Sequence, residues 1–265
     1  MRIRPLAVVS DLHCNSYVGL YPPDVELKLE MGGMYVQNKY QAWLWVNFLD
    51  FCKAVPNDAV VEINGDVFQG IKPFRDSALI TVSATDQLRI AQRVIKPLLA
   101  RASRIYVVRG TDFHDGVIGA DIEMFAEAIG AEQDADTGQY SRWELTHRHG
   151  KTLFHFTHHV SSAPVYPSTP MARAMKEAKE AFVDDDLPIP DVMIRSHIHT
   201  YRKFIDRNRW FIITPAWQLQ TGYSYKVAPR KLPSIGGLIF DVNGEQVTWR
   251  EKLYPLPKPQ ITTSR

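Results

Sequence analysis

Short apolar runs recur along the chain, and each is about as long as a buried β-strand. Turn-forming or polar residues bound every run, which is typical of strands in a covered sheet. The sequence therefore predicts seven strands, at Leu6–Ser10, Ala59–Ile63, Ile105–Val108, Leu153–Thr157, Val192–Arg195, Trp210–Thr214 and Gly237–Val242.

Longer segments with apolar residues at helical spacing lie between several of these strands. The segment Tyr35–Val55 predicts a helix whose core-facing stripe is Tyr40, Trp43, Leu44, Phe48 and Phe51. Three further helices are predicted, at Asp86–Ala102, at Asp121–Ile129, and in a segment that begins with Thr169 as its cap and Pro170 in its first turn.

Strands and helices alternate in the first half of the chain, whereas Tyr140–Thr157 and Trp210–Leu253 have the pattern of hairpins. A mixture of this kind favours two packed sheets with helices outside them. We see no linker, so we expect one domain over residues 1–265.

Three segments lack a regular pattern. The connections Cys14–Gly33 and Ser161–Pro170 have the length of loops that cover functional sites. The segment Trp217–Lys226 alternates aromatic and polar residues. A packed loop or an oligomer contact is favoured there over a platform for stacking bases, because the surrounding charge is not strongly basic.

Composition indicates an ordinary soluble globular protein. The chain has 265 residues, of which 45% are apolar and 23% charged, and its formal net charge is +2. That charge is too small for a nucleic-acid scaffold. No apolar run approaches the roughly 18 residues of a membrane span, and the N-terminus enters a strand without the apolar region of a signal peptide. With only two cysteines, Cys14 and Cys52, we expect a cytoplasmic protein.

Acidic and histidine residues directly follow five of the predicted strands. A single pair is not specific, and we expect one such pair, His147-x-His149 in a predicted hairpin turn, to be exposed and inactive. Five clusters that each follow an apolar strand are a stronger signal, and we expect all five along one rim of a sheet. The clusters contain Asp11 and His13, Asp66, Asp112 and His114, His158 and His159, and His197 and His199.

Carboxylate and imidazole groups without thiolates suit cations such as Mn²⁺, Fe, Zn²⁺, Co²⁺ or Ni²⁺. One cation needs three or four protein ligands, and the clusters supply enough for two. Asp66, on a tight turn at Gly65, is the natural carboxylate to bridge the pair. Two cations about 3.5–4 Å apart can deprotonate a shared water and hold the oxygens of a phosphoryl group during in-line displacement.

Taken in order, Asp11-x-His13, Gly65-Asp66, Gly110…His114, His158 and His197-x-His199 resemble the five blocks of the calcineurin-like metallophosphoesterase superfamily. The resemblance covers roughly residues 6–215. The stretches SDLHCNS and TPAWQLQ are also similar to phage- and prophage-encoded members. The family implies an α/β fold, a four-layer αββα sandwich of two mixed β-sheets flanked by helices, with a dinuclear metal site at the strand C-termini.

The resemblance also implies roles for individual residues. Asp66 would bridge the two cations, and His114 would lie near the leaving group. His158 is favoured over His159 in the fourth block, because neighbours in an extended strand point to opposite sides. The remaining ligands would be Asp11, His13 and His199 for one cation, and His158 and His197 for the other.

The third block departs from the family's usual Gly-Asn-His, in which the asparagine completes the shell of the second metal. Here Gly110 is followed by Thr111, Asp112 and Phe113 before His114. Either Asp112 or Thr111 replaces the asparagine, or His114 ligates directly. We include Asp112 among the expected metal ligands and favour His114 as the catalytic general acid. In the fifth block, a serine stands where the family usually has glycine.

We therefore expect a phosphoesterase that depends on two divalent metal ions, foremost Mn²⁺, with a metal-bridging hydroxide as the nucleophile. A phosphodiester is favoured over a phosphomonoester, and nucleotides or nucleic acid are candidate substrates. Asn15, Arg109 and Thr111 are candidate substrate-binding residues, although Arg109 equally fits a structural ion pair. The alternatives are a dinuclear hydrolase of a non-phosphate ester or amide and a non-catalytic binding protein with this fold.

Overall fold

The computed structural model describes residues 4–29, 32–71, 78–160, 169–227, 230–243 and 246–257. All seven predicted strands and all four predicted helices are present, with ends shifted by a few residues. Most of the predicted loop Ser161–Pro170 lies outside the described residues. None of the described helices combines the length and the apolar character needed to cross a bilayer.

The chain contains eleven strands, five α-helices and one 3₁₀ turn at Val117–Gly119 within the described residues. The helices are α1 Lys39–Ala54, α2 Ala84–Leu99, α3 Ala120–Ala128, α4 Thr169–Asp184 and α5 Gly222–Val227. The strands are β1 Leu6–Val9, β2 Ala59–Asn64, β3 Ala102–Val108, β4 Ser141–Arg142, β5 Glu144–His149, β6 Thr152–Thr157, β7 Val192–Arg195, β8 Arg202–Asp206, β9 Arg209–Ile213, β10 Ile235–Asn243 and β11 Gln246–Tyr254.

The strands form two mixed sheets. The first has the order β11-β10-β1-β2-β3-β4, in which β1 to β4 are parallel and β10 is antiparallel to both its neighbours. The second has the order β5-β6-β7-β9-β8, with three parallel central strands and antiparallel edges. Strand β8 was not predicted, because its residues are half-buried or exposed at the sheet edge and contain no apolar run.

Three separate hydrophobic clusters define four layers. The largest packs α1, α2 and α3 against the outer face of the first sheet and includes Phe48 of α1. The second fills the space between the sheets, where Val8 of the first meets Phe156 of the second. In the third, Met175 of α4 packs with Phe211 of β9. The order helix, sheet, sheet, helix confirms the predicted α/β sandwich.

Helix α1 begins later than predicted because Asn38 caps it. The Asn38 side chain accepts hydrogen bonds from the N–H groups of Tyr40 and Gln41, and the Gln41 side chain accepts one from the Asn38 N–H. This register leaves Tyr40 exposed, so its placement in the core-facing stripe is wrong. Three other members of that stripe are fully buried, namely Leu44, Phe48 and Phe51.

A buried glutamate lies in the middle of the first sheet. Glu62 on β2 is fully buried between Val8 of β1 and Tyr106 of β3, and neither carboxylate oxygen has a hydrogen-bond partner among the described residues. Burial raises the pKa of Glu62 well above its ordinary value, although Arg142 opposes the shift. The folded chain therefore keeps a proton here that the unfolded chain loses.

We expect Glu62→Gln to stabilise the protein at neutral pH and to have little effect at pH 4. Between the unfolded and folded pKa values of Glu62, only the folded state is protonated, so wild-type stability falls as pH rises, by at most about 1.4 kcal/mol per pH unit. The amide removes that dependence. Urea unfolding from pH 4 to pH 8 measures the difference, with exposed Glu127→Gln as control; a difference that is constant with pH would contradict the assignment.

Candidate metal centre

The five predicted clusters meet at the C-terminal ends of strands, where the two sheets face each other. Strands β1, β2 and β3 of the first sheet lead to Asp11, Asp66 and His114, and β6 and β7 of the second lead to His158 and His197. The expectation that all five clusters lie along one rim of a single sheet is therefore wrong. The clusters are divided between two sheets because β6 pairs with β5 and β7 and not with a strand of the first sheet.

The first group of potential ligands is Asp11, His13 and His199, whose ligand atoms lie within 4.8 Å of one another. Nε2 of His13 lies 3.0 Å from Nε2 of His199. The latter atom lies 3.3 Å from Oδ1 of Asp11. Two imidazole nitrogens and a carboxylate oxygen thus converge at distances that suit three ligands of one cation.

The second group is Asp66, His158 and His197, whose ligand atoms also lie within 4.8 Å of one another. Nε2 of His158 lies 3.1 Å from Oδ2 of Asp66, and Nδ1 of His197 lies 3.8 Å from the same oxygen. Oδ1 of Asp11 is 3.9 Å from Nε2 of His158, so the two groups are neighbours.

Asp66 also takes part in a third group, with His13 and His114. The imidazole rings of His13 and His114 are 4.5 Å apart, and Nδ1 of His114 hydrogen-bonds with the carbonyl of Gln69 at 2.8 Å. Asp66 therefore lies between His13 of the first group and His158 of the second. The third group places His114 beside the potential ligands His13 and Asp66.

The buried ligand atoms fit a pair of divalent cations. Oδ1 of Asp11 and Nε2 of His158 are buried and have no hydrogen-bond partner among the described residues. A buried carboxylate oxygen without a partner is costly, and coordination of a cation removes that cost. The donor set consists of carboxylates and imidazoles, which suit borderline cations.

Some potential ligands use one polar atom of the side chain for a hydrogen bond with the protein. That bond orients the other polar atom towards the site. Nδ1 of His158 donates to the carbonyl of Asn64 at 2.7 Å, which leaves Nε2 as the ligand atom. Oδ1 of Asp66 accepts from the N–H of Thr111 at 2.7 Å and from its hydroxyl at 3.0 Å, which leaves Oδ2 facing the second group. Such support fixes both the tautomer and the ring orientation of a metal ligand.

A polar seam joins the two sheets beneath the ligands. Ser196 Oγ accepts hydrogen bonds from Asn64 Nδ2 at 2.7 Å and from Thr214 Oγ1 at 2.8 Å. Thr214 Oγ1 also lies 2.6 Å from Ser10 Oγ. Ser196 is the residue that stands where the resemblance would have glycine, and its hydroxyl is used to hold the seam.

The backbone at the ligands is strained. Positive φ angles cost a non-glycine residue roughly 1–3 kcal/mol each, although Asp and His tolerate them better than most residues. At the preceding Gly65, φ is 80°, and a Cβ there would lie 2.5 Å from Nδ1 of His158. The strained ligands are Asp11 (φ 50°), His13 (43°), Asp66 (51°), His197 (74°) and His199 (54°).

Asp115 supports the site, although the sequence analysis assigns it no role. It is buried, and its carboxylate accepts hydrogen bonds from the N–H groups of Asp66 (2.9 Å), Val67 (3.1 Å) and Gly110 (2.7 Å). It thereby ties the β2 turn to the end of β3. Burial and the charge of Asp66 raise the pKa of Asp115 to about 7. The sequence feature that could have identified Asp115 is its position directly after His114.

Burial and neighbouring charges set the protonation of the ligands. Burial alone would raise the pKa of Asp11, but His199 and His158 lower it to about 2. Burial and nearby imidazoles hold the pKa of His13 well below its ordinary value, so its nitrogen offers a lone pair. Burial opposes the protonation of His158, yet the Asp66 charge raises its pKa to about 10. A cation bound there would displace a proton.

Two predicted site residues instead order the adjoining loops. Oδ1 of Asp112 accepts from the N–H of Ile118 at 3.1 Å, and Asp112 belongs to none of the three groups found in the described part of the chain. The side-chain amide of Asn15 donates to the carbonyl of Thr81 at 2.8 Å and accepts from its N–H at 3.1 Å.

Arg109, a predicted phosphate contact, is engaged inside the protein. It is buried, its Nε donates to Ser141 Oγ at 2.9 Å, and its Nη2 donates to Gln139 Oε1 at 2.6 Å. Glu123 lies 3.5 Å from the guanidinium. These contacts match the alternative expectation for Arg109, namely a structural ion pair. Thr111, the third candidate for substrate binding, holds Asp66 and also borders the cleft described below.

Four other histidines lie outside the groups found in the described residues, namely His147, His149, His155 and His159. His159 is exposed, whereas its neighbour His158 is buried in the second group. The expectation that His147 and His149 are exposed in a turn is wrong. Both lie on β5, and His149 is buried and hydrogen-bonds with the carbonyl of Arg4, a partner distant in the sequence.

A cleft of about 610 Å³ opens onto the ligands. Its volume falls within the range of about 300–1,000 Å³ that is typical of sites for small molecules. Asp66 and four histidines border it, namely His13, His114, His197 and His199, together with apolar residues that include Phe113, Leu219 and Tyr223.

No protein-family model and no curated protein matches the chain. Similar solved structures include Vps29 complexed with Zn²⁺ from Entamoeba histolytica, with 11% identity, TM-score 0.43 and coverage of 94% of this chain and 98% of that one. A predicted phosphoesterase from Streptococcus pneumoniae has 11% identity, TM-score 0.40 and coverage of 96% and 95%. An archaeal phosphodiesterase has 11% identity, TM-score 0.47 and coverage of 94% and 99%. Likenesses this remote assign no function.

We expect the wild-type chain to bind about two equivalents of Mn²⁺ and Asp66→Asn to bind less than one, because this carboxylate lies between both groups. Metal analysis after equilibrium dialysis measures the content. Asp112→Asn removes a nearby carboxylate that is outside the groups and should leave the content unchanged. Equal metal content in Asp66→Asn and wild type would contradict the assignment of Asp66.

Proposed function

We propose that the protein is a phosphoesterase that uses two divalent cations, with a phosphodiester favoured over a phosphomonoester. The observation that carries the proposal is the convergence of two groups of carboxylates and imidazoles, with Asp66 between them, at one cleft. A paired site of this kind suits in-line displacement at phosphorus.

The chain's own residues divide into two sets of ligands. Asp66 lies where it can serve both cations, and the donor set suits Mn²⁺ among other borderline ions. When bound, the cations supply Lewis acidity that activates water and neutralises charge on the phosphoryl oxygens. We assign one cation to Asp11, His13 and His199 and the other to His158 and His197.

We assign His114 the role of general acid. Because its Nδ1 donates to the Gln69 carbonyl, its Nε2 remains for the cleft that it borders. A proton held at Nε2 can pass to the departing oxygen as the phosphorus–oxygen bond breaks. The hydrogen bond to Gln69 holds the ring in place for that transfer.

Charge in the cleft favours a substrate with a single negative charge. Arg109 and Arg195 are buried and hydrogen-bond with protein atoms. Of the described residues that border the cleft, Lys231 is the only lysine or arginine. A phosphodiester carries one charge and two substituents, whereas a phosphomonoester dianion is usually held by several cationic side chains. The volume of the cleft also leaves room for a second substituent.

Hydrolysis of bis-p-nitrophenyl phosphate, p-nitrophenyl phosphate and a panel of acyl esters in Mn²⁺ tests the proposal. We expect turnover of the diester above that of the monoester, none of the acyl esters, and loss of activity after chelation. Turnover of the acyl esters alone would indicate a hydrolase of another bond. No turnover together with at most one bound cation would indicate a binding protein.

We expect His114→Asn to lower kcat for a diester with an alkyl leaving group by about 10²–10⁴-fold while metal content stays at the wild-type value. The loss should be smaller for a diester whose leaving group is a stronger acid, because such a group needs less help from a proton. His159→Asn, beside the site but outside the groups, is the matched control. Loss of one metal equivalent in His114→Asn would make His114 a ligand.

A further inference from the structure

We propose that the cleft recognises an aromatic ring of its substrate, with Tyr223 as the stacking surface, and that the substrate is a phosphodiester that carries a nucleobase. This inference rests on the proposed function, since it names the substrate class of the same site. It is independent of which residues bind the metals.

Tyr223 is an exposed aromatic ring inside a concave site. It lies on α5, borders the same cleft as Asp66 and His197, and is 70% exposed. A tyrosine ring that is exposed in a pocket offers a flat face to a ligand at low entropic cost, because only two side-chain torsions must be fixed. Stacking on such a face is worth about 1–3 kcal/mol for a nucleobase.

The segment that carries Tyr223 is tied to the metal ligands. Trp217 is fully buried, and its N–H donates to the carbonyl of Asp11 at 2.9 Å. Its ring packs edge-on against Phe48 at 5.0 Å. The N–H of Leu219 then donates to the carbonyl of Val18 at 2.8 Å. The segment that leads from Trp217 to α5 is therefore tied to the segment that begins at Asp11. These contacts hold Tyr223 in a defined position relative to the potential metal ligands.

A reciprocal pair of hydrogen bonds fixes the start of α5. The N–H of Thr221 donates to Ser224 Oγ at 2.8 Å, and the N–H of Ser224 donates to Thr221 Oγ1 at 3.1 Å. Tyr223 lies between the two members of the pair. This local order supports a pre-formed surface and not a loop that must be ordered by the ligand.

The other cleft residues suit a flat apolar group joined to one negative charge. Phe113, Ile198, Leu219 and Pro233 border the cleft, and Lys231 is its only cationic side chain among the described residues. A longer strand of nucleic acid would need a basic track along its backbone, and the net charge of +2 does not favour one. A single nucleotide unit, with one phosphate and one base, fits a cleft that offers one lysine and one exposed aromatic ring.

Isothermal titration calorimetry on the Mn²⁺-loaded full chain tests the inference with four phosphate monoesters. Methyl phosphate, deoxyribose 5-phosphate, phenyl phosphate and thymidine 5′-monophosphate share one charged group and differ in the attached substituent. We expect the two aromatic ligands to bind more tightly than the other two. Tyr223→Ala should weaken the aromatic ligands by about 5–100-fold and leave methyl phosphate unchanged.

Two variants serve as controls. Tyr225→Ala removes a similarly exposed tyrosine (61%) of the same helix that does not border the cleft, and it should change nothing. Tyr223→Phe keeps the ring and should bind like wild type. Equal effects of the two alanine variants, or an equal effect of Tyr223→Ala on all four ligands, would overturn the inference. An effect on phenyl phosphate alone would reject the nucleobase.

Failure of the inference is distinguishable from failure of the proposed function. If the proposal of a phosphodiesterase is correct and Tyr223 only stacks on the ring, Tyr223→Ala should raise KM for bis-p-nitrophenyl phosphate and keep kcat. Absence of turnover in wild type, with the aromatic preference intact in calorimetry, would reject catalysis and retain the aromatic subsite.

Discussion

The structure depends on the convergence of buried carboxylate oxygens and imidazole nitrogens at one point. Nε2 of His13 and Nε2 of His199 are 3.0 Å apart, and Oδ1 of Asp11 is buried beside them without a hydrogen-bond partner among the described residues. Such an arrangement is unfavourable for a protein alone, because buried polar atoms need partners. A cation would supply the partner, and the surrounding fold would keep the potential ligands in place before it binds.

Packing of the αββα layers stabilises the fold and so offsets the cost of this unfavourable arrangement. Apolar packing between the sheets aligns the ends of β1 and β2 with those of β6 and β7. The polar seam of Ser10, Thr214, Ser196 and Asn64 then fixes the distance between the sheets at the site. Asp115 adds three backbone hydrogen bonds that hold the Asp66 turn. Stability from the core thus supports the strain at the ligands.

The sequence was sufficient to predict seven of the strands and the residues that converge, because an aspartate or a histidine follows five of the apolar runs within four residues. It could not show what else those strand ends contact. Arg109 and Asn15 are polar and lie in segments that carry site residues, yet their partners, such as Ser141 and Thr81, are distant along the chain. The burial of His149 depends likewise on the carbonyl of Arg4. Partners brought together only by the tertiary fold leave no local pattern.

The potential metal ligands and the proposed aromatic contact lie on different structural elements of the site. The potential ligands follow the ends of strands that are held by two sheets, so substitutions there would disturb metal binding and the core together. Tyr223 lies on a short helix after the Trp217 anchor, and its ring is largely exposed, so it can change without loss of packing. Selection for a different substrate would therefore act on α5 and its flanking residues, while the rim that would bind the cations stays constant.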